Sequence, residues 1–163
     1  MIFVTVGNHN EGFDRLIQKI DEIAIDLDEK VVMQTGTATY EPKNAEYFKF
    51  CSSREVESLV KEARVVVSHA GAASIINALK YGKPIIIVPR RKKYGEVVDD
   101  HQLELASAMS GDRRIKAVYQ VEDLPEALNN VTAVASTAGM DISCIRLVAA
   151  LRQYLEEIDS SRK

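Results

Sequence analysis

Residues 64–79 read Arg64-Val65-Val66-Val67-Ser68-His69-Ala70-Gly71-Ala72-Ala73-Ser74-Ile75-Ile76-Asn77-Ala78-Leu79. A β-branched run passes into a turn of small residues, and the turn passes into a helical pattern. The reading is a buried parallel strand, a tight turn and a helix start. Backbone N–H groups at a helix start, with little side-chain bulk around them, make an anion site. The same pattern also fits a strand-to-helix turn with no ligand. It lacks the full glycine fingerprint of dinucleotide-binding domains and the lysine–hydroxyl pair of a P-loop.

Working outward, similar units recur on both sides. Ile2 to Val6 is an apolar run that ends at Gly7-Asn8-His9-Asn10. From about Gly12, Phe13, Leu16, Ile17, Ile20, Ile23, Ala24 and Leu27 mark one face of a helix, with Arg15, Lys19, Glu22 and Asp26 on the other. Val31 to Thr35 is a second strand and Tyr47 to Phe50 a third. Ser53 is the expected N-cap of the next helix, with Glu55 and Glu57 in its first turn. After the opening unit, Gly82 closes the helix and Pro84 blocks its continuation. Ile85 to Val88 and Ile115 to Tyr119 are two further strands, and helices are expected around Leu103–Met109 and Asp123–Asn129. The segment at about 140–158 is amphipathic and helical in pattern.

Strands alternate with helices, and the central strands are apolar on both faces. The expected fold is α/β: an open, doubly wound, mostly parallel, Rossmann-like sheet. One domain spans residues 1–163, with a C-terminal helix at about 140–158. Ligands in such folds bind beyond the carboxyl ends of the strands. The loops after Val6, Thr35, Val67 and Val88 are therefore expected to share one crevice.

The totals narrow the function classes. The chain has 163 residues, 46% hydrophobic and 28% charged, with a net charge of −3, which gives no overall footprint for nucleic acid. Its two cysteines, Cys51 and Cys144, suggest neither a disulfide framework nor a metal site. Residues 1–6 lack a basic region and the length of a secretory signal, and no window approaches ~18 apolar residues, so no membrane span is expected. Metal-ligand spacings, a Gly-x-Ser-x-Gly elbow and DNA-reading motifs are absent from the sequence.

Five groups carry candidate chemistry. Ala70, Gly71, Ala72, Ala73 and Ser74 leave room for a phosphate, and Ser74 adds a hydroxyl. His69 ends a buried strand, where an imidazole either donates to a phosphate, works as acid or base, or is a structural histidine bonded to backbone. Asp99-Asp100-His101-Gln102 begins a helix; one aspartate suits an N-cap, while Asp100 and Gln102 suit vicinal sugar hydroxyls. Gly7, Asn8 and His9 form either a substrate-reaching turn or an ordinary polar loop. A basic run, Arg90 to Lys93, fits a diphosphate, an anionic surface, an acidic partner or simple solvation.

In combination, several stretches resemble the donor-binding half of GT-B glycosyltransferases, specifically the family 28 C-terminal domain. They are Ile2 to Gly7 with Phe13 to Ile17, Ser68 to Gly71 with Ser74 to Ile76, Gly82 to Pro89, and Asp100 to Gln102 with Glu104 to Ala106. Within that family the chain is most similar to the small soluble subunits of two-part UDP-sugar transferases. These include the UDP-GlcNAc transferase subunit of dolichol-linked glycan synthesis and bacterial exopolysaccharide and capsule relatives.

The resemblance implies inverting transfer of a hexose or N-acetylhexosamine from a UDP-sugar, with no bound metal or other cofactor. It places the diphosphate at His69 to Ser74 and the donor sugar at Asp100 and Gln102, with His101 between them. Asn77 stands where relatives commonly carry a glutamate that grips the ribose, and an amide binds hydroxyls less strongly than a carboxylate. The resemblance further implies a cytoplasmic protein recruited to the membrane face by a membrane-anchored subunit that holds a lipid-linked acceptor. Such a chain is expected to be inactive alone, with the catalytic base on the partner and His9 as the rival source. The 140–158 segment either docks on that partner or packs back on its own sheet. Two other readings stand beside this one: a non-catalytic enhancer or stabiliser of a partner glycosyltransferase, which Asn77 favours, and an unrelated nucleotide-binding α/β domain.

Overall fold

The computed structural model describes residues 1–131; the expected helix at about 140–158 and Cys144 lie outside the described residues. The short apolar runs pair into a single sheet. β1 (Ile2–Thr5), β2 (Val31–Gln34), β3 (Glu46–Phe48), β4 (Val65–Ser68), β5 (Ile85–Ile87) and β6 (Ile115–Ala117) lie in the order β3-β2-β1-β4-β5-β6. Every pairing is parallel. Thr5 lies opposite both Gln34 and Ser68, so the three central strands end level.

Parallel strands need long crossovers, and helices supply them. They are α1 (Asp14–Ala24), α2 (Ser53–Glu62), α3 (Ala72–Lys80), α4 (His101–Met109) and α5 (Leu124–Asn130). Alternation along β1 sends Ile2 and Val4 to one face, where Leu16, Ile17 and Ile20 of α1 and Leu124 and Leu128 of α5 cover them. Phe3 points to the other face, with Val60 of α2, Ile75 and Leu79 of α3 and Leu105 and Met109 of α4. Each such fully buried side chain contributes roughly 1.5–3 kcal/mol relative to exposure. The chain runs outward from β1 to β3, then returns to place β4 beside β1. Their carboxyl ends therefore splay apart into loops on opposite faces, which is where an open α/β sheet forms its crevice.

Three local expectations are corrected. The N-cap of α2 is Ser52, not Ser53. The Ser52 hydroxyl accepts from the Glu55 N–H at 3.3 Å while the Glu55 carboxylate accepts from the Ser52 N–H at 2.8 Å, a reciprocal capping box. β3 starts one residue early and ends two short of Phe50, because ladder pairing with β2 closes at Gln34 opposite Phe48. Arg15 does not face solvent: its guanidinium bonds Glu96 at 2.8 and 3.0 Å and lies over the Phe13 and Tyr94 rings.

The α1 helix also organises the crossover between β2 and β3. The Asp14 carboxylate accepts from the backbone N–H groups of Thr39 and Tyr40. Seven residues on, buried Asp21 accepts from the backbone N–H groups of Lys43 and Asn44 and from the Tyr40 hydroxyl. Burial opposes its charge, but these bonds and that of the Asn44 side chain outweigh it and lower its pKa. Among the described residues no helix is long and apolar enough to cross a membrane.

Candidate functional site

The site begins with two glycine turns closed around one imidazole. β1 runs into Gly7, which has φ +70°, a conformation that favours glycine. A Cβ there would come within 2.7 Å of His69 Cε1 and 3.2 Å of Nε2. Gly71 has an ordinary extended backbone, φ −95° and ψ 129°, so its requirement is space alone. A Cβ on Gly71 would fall well inside contact distance of His69 Nε2 and 2.9 Å from Cδ2 and Cε1. Both turns thus press on the same ring edge.

Burial, and then the positive charge of Arg90, push the His69 pKa down to about 4, so the ring is neutral at neutral pH. The Ser68 hydroxyl donates to the Thr5 carbonyl at 2.9 Å and lies 3.2 Å from His69 Nδ1. With that hydroxyl hydrogen already committed, the second contact requires the hydrogen on Nδ1. Nε2 then carries a lone pair. The geometry favours the structural reading of His69 over donation to a phosphate.

Beyond Gly71, α3 starts with Ala72, Ala73 and Ser74, and no side chain caps it. The first N–H groups of a helix have no intrahelical partner. Here Gly71 and the alanines leave them open at the mouth of the crevice, with the positive helix end behind them. Ala70 is buried beneath the turn. Ser74 and Asn77 follow on α3, both half-buried.

On the β2 side, a buried polar chain stands behind the first loop. The Thr5 hydroxyl donates to Gln34 Oε1 at 2.7 Å, and Gln34 Nε2 donates to Asn8 Oδ1 at 3.3 Å. That bond engages the Asn8 oxygen and leaves its Nδ2 donors uncommitted. Gln34 was not singled out by sequence, although a glutamine closing an otherwise apolar strand was the available signal.

On the β5 side, Gln102 receives the Arg90 backbone N–H on Oε1 at 3.0 Å. A backbone N–H can only donate, so the oxygen must face it, and Gln102 presents its Nε2 donors outward. Asp100 occupies the N-cap position of α4 without capping it; its Oδ1 accepts the Lys92 N–H at 2.9 Å. Asp99 accepts the His101 N–H at 3.3 Å, and the His101 ring lies 3.5 Å from Asp99 and from Glu104. The structure thus brings Gln102 to the crevice through Arg90, and turns Asp100 and His101 toward their own loop and helix. Arg90 departs from the solvated basic loop: it is fully buried.

His9 lies on the first loop, exposed, with Nδ1 2.6 Å from Glu11 Oε2. That contact leaves Nε2 turned outward. Among the described residues no cluster of three or more His, Cys, Asp or Glu is placed to hold a metal ion.

A doubly wound parallel sheet with an uncapped helix start and polar side chains at the carboxyl ends of its strands defines a Rossmann-like domain. The sequence profile of the glycosyltransferase family 28 C-terminal domain matches residues 1–148, and the chain belongs to that family. It is 34% identical over 122 residues to the human UDP-N-acetylglucosamine transferase subunit ALG13, covering 66% of this chain and 10% of that protein. It is 41% identical over 76 residues to the subunit of the same name from Cryptococcus neoformans, covering 45% of this chain and 36% of that one. The chain therefore spans only a minor part of these relatives' length. In structure it resembles the glycotransferase of kitacinnamycin (TM-score 0.61, 20% identity, 96% of this chain and 39% of that one). It also resembles the calicheamicin glycosyltransferase (TM-score 0.58, 18% identity, 98% and 38%). These likenesses show the fold.

Proposed function

We propose that the chain is the donor-binding subunit of a UDP-sugar transferase, with UDP-GlcNAc the first donor to test. The observation that carries the reading is the uncapped start of α3 beside Gly71, at the same carboxyl-end edge of the sheet as the loops that hold Asn8 and Gln102. Three kinds of N–H donor around one crevice suit a ligand rich in acceptor oxygens, as a diphosphate joined to a sugar is. Family membership and the names of the two ALG13 relatives support the same reading.

In this account the N–H groups of Ala72, Ala73 and Ser74 and the helix dipole offset the charge on the departing UDP. Neutral His69 spaces the two glycine turns. Gln102 bonds the donor sugar, and Asn77 meets the ribose. The reading calls for no metal or other cofactor. The acceptor, a lipid-linked glycan, is held by a separate membrane-anchored subunit, which brings this chain to the cytoplasmic membrane face. Inversion needs a base on the far side of the sugar, and the partner supplies it; the His9–Glu11 pair, with Nε2 outward, is the rival source. The isolated chain binds donor but transfers little.

Calorimetric titration with UDP and UDP-GlcNAc tests this. Saturable binding that Gly71→Asp abolishes is the expected result. A second reading, a non-catalytic enhancer, is favoured by Asn77 in place of the relatives' glutamate, and complete absence of saturable binding would select it.

A further inference from the structure

We propose that Arg90 is a positioning residue that locks the loop after β1 to the loop after β5 and thereby sets Gln102. The Arg90 side chain is fully buried, yet its guanidinium bonds backbone carbonyls rather than a carboxylate. Nη1 donates to the carbonyls of Glu11 at 2.8 Å, Gly12 at 3.0 Å and Glu96 at 3.4 Å; Nη2 donates to the Val6 carbonyl at 3.1 Å. The guanidinium carbon lies 4.7 Å from the centroid of the Phe13 ring, which forms the floor beneath it. One planar fork therefore gathers the start and end of the β1–α1 loop and the middle of the β5–α4 loop.

A buried guanidinium is costly unless its hydrogens are satisfied, and a methionine would fill the volume without that cost. What methionine cannot do is draw carbonyls from three separate stretches of backbone to one point. Lysine, a compact charge with three donors, cannot reproduce the fork either. The Arg90 backbone N–H completes the link, because it holds Gln102 Oε1 and so fixes the orientation of the amide that carries Nε2. Glu96 reinforces the same loop, accepting the Arg91 N–H at 2.9 Å and the Arg15 guanidinium.

The ligand readout rests on the donor-binding reading, since it uses UDP-GlcNAc. Arg90→Lys and Arg90→Met are compared with the unaltered chain by thermal unfolding, by titration with UDP and with UDP-GlcNAc, and by amide NMR. UDP is held at the start of α3, so its affinity is expected to stay within about twofold. The extra affinity contributed by the sugar is expected to fall about tenfold in both variants, including Arg90→Lys, which retains the charge. A purely structural role would weaken both ligands together, and that result, or an unchanged sugar increment, overturns the proposal. If the unaltered chain binds neither ligand, the donor reading fails, while NMR still decides Arg90. Shifts at the amides of Asn8 and His9 and at the Gln102 side-chain amide in Arg90→Lys support it. Shifts confined to residues adjoining position 90 overturn it.

Discussion

Replacing Gly71 by alanine tests the glycine cage with one methyl group. The backbone at this position suits any residue, with φ −95° and ψ 129°, so the whole cost is steric. The new Cβ would overlap Nε2 of His69 and stand 2.9 Å from two further ring atoms, whereas ordinary contact begins near 3.4 Å. The ring cannot simply swing aside, since Gly7 crowds the same edge and Nδ1 is held at Ser68. Overpacking of this kind costs about 1–3 kcal/mol. Urea unfolding measures it, and a double-mutant cycle with His69→Ala isolates it. In the His69→Ala background the methyl enters the space left by the ring, so the cost of Gly71→Ala is expected to fall close to zero. UDP affinity is expected to drop in Gly71→Ala, because α3 must shift its first turn. A neutral Gly71→Ala, or a cost of the same size with and without the imidazole, would refute the cage.

Other expectations follow from the same geometry. Because the folded His69 titrates at about 4 against 6.5 in the unfolded chain, the unfolded state binds the extra proton between those values. Stability therefore rises with pH through that window, is complete above about 6.5, and falls by about 3 kcal/mol as pH drops to 4. His69→Asn, which keeps an N–H toward Ser68, is expected to flatten that slope in denaturation curves taken from pH 4 to 7. Gln102→Glu retains an oxygen for the Arg90 N–H but loses Nε2. It should leave the melting temperature unchanged and weaken UDP-GlcNAc about tenfold in calorimetry. Asp21→Asn turns an acceptor for several N–H groups into one that also donates, and should destabilise the chain by about 1–3 kcal/mol in urea unfolding.

The fold was legible because its strands are short, apolar on both faces and separated by helical periodicity; Val65 to Val67 and Ile85 to Val88 fit nothing else. Loop positions followed from topology, so Gly7, His69, Gly71 and Gln102 converge as the parallel order requires. What was not legible depends on partners distant in sequence. Arg90 reads as part of a solvated basic run, and only its carbonyl partners on the β1–α1 loop, 78 to 84 positions away, explain its burial. Arg15 reads as polar-face charge until Glu96 is brought to it, and Asp14 and Asp21 carry no local signal of the loop at residues 39–44 that bonds to them. The α2 cap was misplaced at Ser53, although Ser-x-x-Glu from Ser52 to Glu55 was the available signal.

The central claim is that the start of α3 holds the diphosphate. Amide NMR during a titration with UDP tests it most directly. The account predicts saturable shifts that are largest at Ala72, Ala73 and Ser74, with the Gln102 side-chain amide moving only when UDP-GlcNAc replaces UDP. Shifts centred elsewhere, such as the depression of about 320 Å³ lined by Lys116, Tyr119, Asp123 and Asn130, or no saturable shifts at all, would contradict it.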